Sequence, residues 1–376
     1  MSSPGGRQNV LNPAVCKTEV LEARFSTGEK FRKKMGDIFR YFLDRNLVCS
    51  SEIHLEEITM RTSLALAAIV FWSVSATLIT DAQSRRRTEF SDWSAPVSIG
   101  APINTEFDDN VPVLSTDEKT LYFTSNRPGT VGGEDIWVSK RQNKKAPWGD
   151  PVNLGPGINT PYTDRMRSLS PDGRIILFQS DRPGGSQGGT DIWAIVRKHT
   201  NDDFGWSAPV NLGPVINTQY NEVAAKYLFD DRHRKGNLFF SSARPGGFGG
   251  PDIYESEITD TGFALPVNVF ELNTASIETC FWVREDGLEI IFSSNRPNLT
   301  GDITRFDLWV STRSSVYETW SAPESLGATV NSEGYLDVNP MLASADRTLY
   351  FASSRPNPSG PANNMDIYFS TRTPLR

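Results

Sequence analysis

The stretch Trp148–Trp193, WGDPVNLGPGINTPYTDRMRSLSPDGRIILFQSDRPGGSQGGTDIW, decides the fold because it is one copy of a unit that occurs five times. It opens on an aromatic residue three places before a proline. The same opening stands at Trp93 and Pro96, Trp206 and Pro209, Phe263 and Pro266, and Trp320 and Pro323. An Ile-Asn-Thr element follows at 158–160, repeated at 103–105 and 216–218 and relaxed at 272–274 and 330–332. An apolar strand, a turn (Ser170-Pro171-Asp172-Gly173) and a nearly all-apolar strand at 176–180 come next, the last with partners at 121–125, 238–242, 290–294 and 349–353. Each of these runs into Arg-Pro, at Arg127, Arg182, Arg244, Arg296 and Arg355. The unit closes on Asp-Ile/Leu-Trp/Tyr, beginning at Asp135, Asp191, Asp252, Asp307 and Asp366.

The copies run from Trp93 to Arg372, 280 residues with a mean period of 56. A fixed period of this size marks a repeat architecture. Four short strands per unit, separated by turn signals, match the blade of a β-propeller. The predicted fold is all-β: a five-bladed β-propeller of four-stranded antiparallel blades over residues 91–376. Proline recurs only in the first and last strand types (Trp-x-x-Pro; Pro112, Pro340), and a residue without an N–H belongs on sheet edges. The strand before Arg-Pro is apolar on both faces, as expected where neighbouring blades cover both. The series starts on an outer strand near Trp93 and stops on a third strand at Asp366. The N-terminal outer strand is therefore expected to complete the last blade and close the ring.

Upstream of the repeats, Leu64 to Ile79 is apolar but only sixteen residues long, short of the roughly 20 that span a bilayer as a helix. Counted from Met60 it reads as a signal peptide over 60–82, with Arg61 before the apolar run and small residues at 74–76 and 80–82. Translation is then expected to start at Met60. Residues 1–59 form an untranslated or disordered extension and 83–90 a linker; the alternative is a cytoplasmic tail before an uncleaved anchor. The net charge of −7 gives no reason to expect a nucleic-acid partner, which would favour a basic face. The three cysteines, Cys16, Cys49 and Cys280, show no zinc spacing, and Cys280 beside Phe281 and Trp282 is expected to be structural. No metal and no cofactor is expected.

The Ser-Pro-Asp-Gly turn, the Ser-Asn-Arg-Pro-Gly run and the Gly-Gly-x-Asp-Ile-Trp ending resemble the WD40-like repeats of TolB-type periplasmic propellers. The Trp-Ser-Ala-Pro and Ile-Asn-Thr stretch is similar to propellers of peptidoglycan-associated envelope proteins. The resemblance covers about residues 91–372. It implies a propeller of the cell envelope, periplasmic or secreted, that binds a protein or a glycan without a cofactor.

Several repeated residues carry candidate chemistry. The arginine and aspartate of each blade, Arg127 with Asp135 and so on, flank one hairpin and are expected to clamp it as a charge-assisted pair. The outer-strand tryptophans are expected to pack between blades, with sugar stacking as the other possibility. The Gly-Gly loops are expected to need positive φ and not to cradle phosphate. An acid enters each inner strand just after Ile-Asn-Thr: Asp109, Asp164, Glu222, Glu278 and Asp337. As a repeated element these ring acids would accept backbone N–H bonds at the strand start. As a functional set they would stand at one channel mouth, where Arg165, Arg167, Lys226 and Trp282 differ between blades and suit a polar ligand such as a sugar. Asp109, Asp164 and Glu222 also fall in the order of the Asp, Asp, Glu set of five-bladed sugar-cleaving enzymes. The expected function is an exported monomeric propeller binding an envelope protein or glycan, with no nucleic acid and no membrane span in the mature chain. A glycoside hydrolase using Asp109, Asp164 and Glu222 is one alternative, and a structural scaffold is another.

Overall fold

The computed structural model describes residues 90–375 except 186–187, 231–234, 260–261, 298–302, 344 and 357–363. The expected signal peptide, the expected extension before it and the expected linker up to residue 89 lie outside the described residues. Among the described residues, no helix is long and apolar enough to cross a membrane.

Five antiparallel sheets follow one another along the chain. The first is β2 (Asp109–Leu114), β3 (Thr120–Ser125), β4 (Asp135–Lys140) and β5 (Val152–Asn153). The second is β6 (Asp164–Leu169), β7 (Ile175–Ser180), β8 (Asp191–Val196) and β9 (Val210–Asn211). The third, β10 (Glu222–Asp230), β11 (Lys235–Ser242) and β12 (Asp252–Thr259), has two short outer pieces, β13 (Gly262–Phe263) and β14 (Val267–Asn268). The fourth is β15 (Glu278–Val283), β16 (Glu289–Ser294), β17 (Asp307–Thr312) and β18 (Glu324–Ser325). The fifth, β19 (Asp337–Ala343), β20 (Thr348–Ser353) and β21 (Asp366–Thr371), takes β1 (Val97–Ser98) as its outer strand, as the order of the repeats predicts. The fold is the expected five-bladed ring.

The core lies between blades. Phe123, Phe178, Phe240, Phe292 and Phe351 occupy one repeated position of the second strand, and each is buried. The tryptophan of the outer strand is covered by an arginine that follows the third strand: Arg141 over Trp148, Arg197 over Trp206, Arg313 over Trp320 and Arg372 over Trp93, at 4.2–4.5 Å from the ring. The third blade changes both partners together, pairing Ile258 with Phe263. These rings are packing, not a sugar platform.

The Ile-Asn-Thr motif explains how two-residue outer strands suffice. The Asn104 amide accepts from the Ile367 N–H at 2.9 Å and donates to its carbonyl at 2.9 Å, imitating a strand residue on the third strand. Asn159 does the same to Ile136, Asn217 to Ile192, Asn273 to Ile253 and Asn331 to Leu308. The Gly-Gly loops meet expectation at Gly184, Gly189 and Gly246, with φ of 92°, 77° and 97°, but not at Gly132–Gly133. Gly132 is there for close approach: a Cβ on it would lie 2.2 Å from the Tyr162 carbonyl oxygen of the next blade's entry loop.

One acidic cluster is destabilising. Burial pushes the Asp346 carboxyl up to about 6; Arg284 and Arg372 oppose that rise, and Glu289 and Asp286 add to it. A carboxyl raised from 3.8 in the folded state holds its proton more tightly there, so its contribution is complete below about pH 4 and lost as pH rises through about 6. Its side chain is 34% exposed, so screening limits the effect to about 1 kcal/mol. Asp346→Asn, which also suits the left-handed φ of 68°, is expected to raise the urea midpoint at pH 7 but not at pH 4. An equal gain at both pH values would refute this origin.

Candidate functional site

The ring acids come to the starts of the five inner strands, but inside the blades and not at the mouth. All five side chains are fully buried. Asp109 accepts from the Thr105 N–H at 2.8 Å and the Thr105 hydroxyl at 2.7 Å on one oxygen, and from Arg127 at 2.5 Å on the other. Asp164 repeats this with Thr160 and Arg182. Glu278 takes Thr274, Ser294 and, at 3.0 Å, Arg296, while Asp337 takes the Ser332 N–H and, at 2.6 Å, Arg355. Glu222 takes Thr218 and Ser242, with Arg244 more distant at 3.6 Å. Each of these carboxylates is engaged on both oxygens and has no exposed side-chain surface.

The arginine of the Arg-Pro step therefore pairs with the ring acid and not, as expected, with the aspartate across its hairpin. Arg127 turns inward over the Phe123 and Trp137 rings and also donates to the Ile103 carbonyl. Asp135 is occupied by the Val131 N–H at 2.6 Å and the Asn153 amide at 2.7 Å.

What faces the channel is the set that differs between blades. At its rim Arg165, 41% exposed, pairs with Glu134, whose carboxylate also accepts from Asn110 at 3.2 Å. Deeper, the Arg167 guanidinium crosses the channel: Nε donates to Gln179 Oε1 at 2.6 Å and one terminal nitrogen to Asn339 Oδ1 at 3.0 Å, with Cys280 Sγ at 3.5 Å. Desolvation lowers the Arg167 pKa from its ordinary value. Lys226 and Trp282 meet each other, the ammonium lying 3.7 Å from the ring centroid and 2.6 Å from Glu285, and Trp282 also lines the pocket beside Arg167.

The inner strands are bulged at this level in all five blades. Val111, Ala224, Cys280 and Asn339 are left-handed there, with φ of 51°, 45°, 46° and 56°. For non-glycine residues, and for β-branched Val111 above all, that is backbone strain held by the surrounding fold. Together with Arg167 they line a pocket with free volume of about 10 Å³, room for one water. Tyr162 and Tyr220 are exposed on loops leading into inner strands, 43% and 37%.

Sequence reasoning missed Glu134, Gln179, Asn110 and Asn339. Glu134 had a signal: the residue before the closing Asp is Thr190, Pro251, Phe306 or Met365 in the other blades, and only here a charge.

No family model and no curated protein sequence matches the chain. Solved structures do. An endo-arabinase from Bacteroides thetaiotaomicron aligns over 76% of this chain and 98% of its own at 14% identity and a TM-score of 0.47. The catalytic domain of a GH62 α-L-arabinofuranosidase from Coprinopsis cinerea aligns over 76% and 97% at 13% identity and a TM-score of 0.45. An exo-β-1,3-galactanase from Phanerochaete chrysosporium aligns over 75% and 64% at 10% identity and a TM-score of 0.46. At such identities the likeness is one of fold. These neighbours are glycoside hydrolases, and against them the expectation of a cofactor-free envelope binding propeller is corrected and set aside.

Proposed function

We propose that this chain is a glycoside hydrolase whose saccharide is held over the Glu134–Arg165 rim of the channel. The observation that carries the reading is the division of carboxylates. The five ring acids are used up as clamps, whereas Glu134 stands at the rim between two inner strands, held by Asn110 and Arg165. A rim carboxylate beside hydrogen-bonding side chains would supply one of the two carboxylates that sugar hydrolysis uses. Exposed Tyr162 and Tyr220 add apolar faces of the kind that sugar rings stack on.

The test is release of reducing ends from a panel of arabinan, xylan, β-1,3-galactan and polygalacturonan. Wild type is expected to release them, and Glu134→Gln to lose turnover by about 10²-fold or more with thermal unfolding unchanged. Glu222→Gln is expected to act on stability. Loss of turnover in a stably folded Glu222→Gln variant would return the chemistry to the ring acids. Absence of reducing ends from every polymer would overturn the enzyme reading.

A further inference from the structure

We infer that the central channel contains a carboxylate-binding site built on Arg167, and that the saccharide taken at its rim is an acidic one carrying a uronate. The second half rests on the reading of the chain as a glycoside hydrolase; the first does not.

Arg167, which is half-buried, is out of pattern among the arginines turned into this ring. Arg127, Arg182, Arg244, Arg296 and Arg355 each have a ring acid within 4 Å. Arg167 lies in the channel with Gln179, Asn339 and Cys280 as partners, and no carboxylate among the described residues comes within ion-pair distance of it. Its second terminal nitrogen has no hydrogen-bond partner among them. A guanidinium keeps its charge at any physiological pH, and withdrawing it from water without a counter-charge is costly. The fold nonetheless places it there, on the one inner strand whose bulge is not left-handed, ringed by four strained residues from the other blades. Strain gathered around a cation that has no ion-pair partner among the described residues, with Glu134 acting on it only from farther off, points to a preorganised anion site.

The size of the pocket selects the anion. A void of about 10 Å³ admits one carboxylate oxygen but no sugar ring. A planar guanidinium matches a carboxylate in fork geometry. A uronate would then rest its ring at the Arg165 rim and point its carboxylate down to Arg167, two arginines of one strand reading one acidic sugar.

Cys280 supplies the test, since its sulfur lies 3.5 Å from the Arg167 guanidinium. Iodoacetate carries a carboxylate and iodoacetamide does not; each transfers its whole CH₂COO⁻ or CH₂CONH₂ group to the sulfur with loss of iodide and the thiol proton. Peptide-resolved mass spectrometry separates Cys280 from Cys16 and Cys49. The iodoacetate-to-iodoacetamide rate ratio at Cys280 is expected to exceed that of glutathione by about tenfold, through charge-assisted binding next to the thiol. Arg167→Gln is expected to return the ratio to that of glutathione. Competition on the wild type needs no variant: oligogalacturonate is expected to slow iodoacetate labelling at concentrations where acetate and neutral xylo-oligosaccharides do not. A ratio equal to that of glutathione, a preference that survives in Arg167→Gln, or failure of both reagents to reach Cys280 in the folded protein would overturn the site. Equal protection by acetate and oligogalacturonate would assign the site to small free acids and overturn the acidic saccharide. Reducing ends released from neutral glycans without any labelling preference would sink this inference alone. A labelling preference without turnover on any glycan would sink only the hydrolase reading.

Discussion

Arg127→Met is expected to lower the unfolding free energy by about 3–5 kcal/mol, the range for breaking a buried ion pair from one side. The side chain reaches three parts of its blade at once. It pairs with Asp109 at 2.5 Å, donates to the Ile103 carbonyl of the loop before the inner strand, and lies over the Phe123 and Trp137 rings. Methionine replaces the packing but not the charge, so Asp109 is left fully buried without its counter-charge. Arg127→Met with Asp109→Asn is expected to regain most of the loss, because the orphaned charge causes it. Arg244→Met should cost less: Glu222 keeps two bonds from Thr218 and one from the Ser242 hydroxyl, and Arg244 stands 3.6 Å away. Urea unfolding of the single and double variants measures this. A loss under about 1 kcal/mol for Arg127→Met, the level of a surface pair, would show that the clamp contributes only packing. A double variant no more stable than the single one would show the same.

The fold was legible in the sequence because its determinants are local and repeated. Strand number, blade number and closure all follow from where proline, turn residues and apolar runs recur. The partners of the repeated polar residues were not legible. In sequence Arg127 is closer to Asp135 than to Asp109, eight residues against eighteen. In the blade, Asp135 takes its own hairpin and Asn153 on one oxygen and keeps the other buried without a partner, while the arginine turns toward the inner strand. The candidate site was half legible for a related reason. Arg165 and Arg167 stood out because they break the repeat, and both face the channel. Lys226 and Trp282 broke it too, yet they satisfy each other across two blades, a pairing set by ring geometry that no spacing reveals. The ring acids misled in the opposite direction. Occurring in every blade, they belong to the blade, and a site on a repeat protein is found where one copy departs from the rest.

Removal of residues 91–100 is expected to have an effect as large as the loss of a whole clamp, and to be felt 270 residues away in sequence. This segment is held almost wholly by the last blade. Val97 and Ser98 pair with Phe369 and Tyr368, and the Ile99 N–H bonds the Ile367 carbonyl at 3.0 Å. Ser91 and Ser94 donate their N–H groups to the Thr373 and Thr371 carbonyls, each at 2.8 Å. Arg372 also covers Trp93, with the guanidinium 4.5 Å from the ring. At roughly 0.5–1.5 kcal/mol per hydrogen bond, and with the lost burial of one tryptophan, the cost comes to about 5 kcal/mol. That is a large fraction of the stability of an ordinary domain. It should also be local. Hydrogen exchange should speed up along β21, whose outer edge becomes a row of unpaired groups, while β4 in the first blade, with β5 still beside it, keeps its protection. Asn104→Ala is the graded version, removing only the side-chain bridge to Ile367, and should open the same strand to a smaller extent. If the deletion leaves both the unfolding midpoint and β21 exchange unchanged, the ring is not fastened by its N-terminal strand.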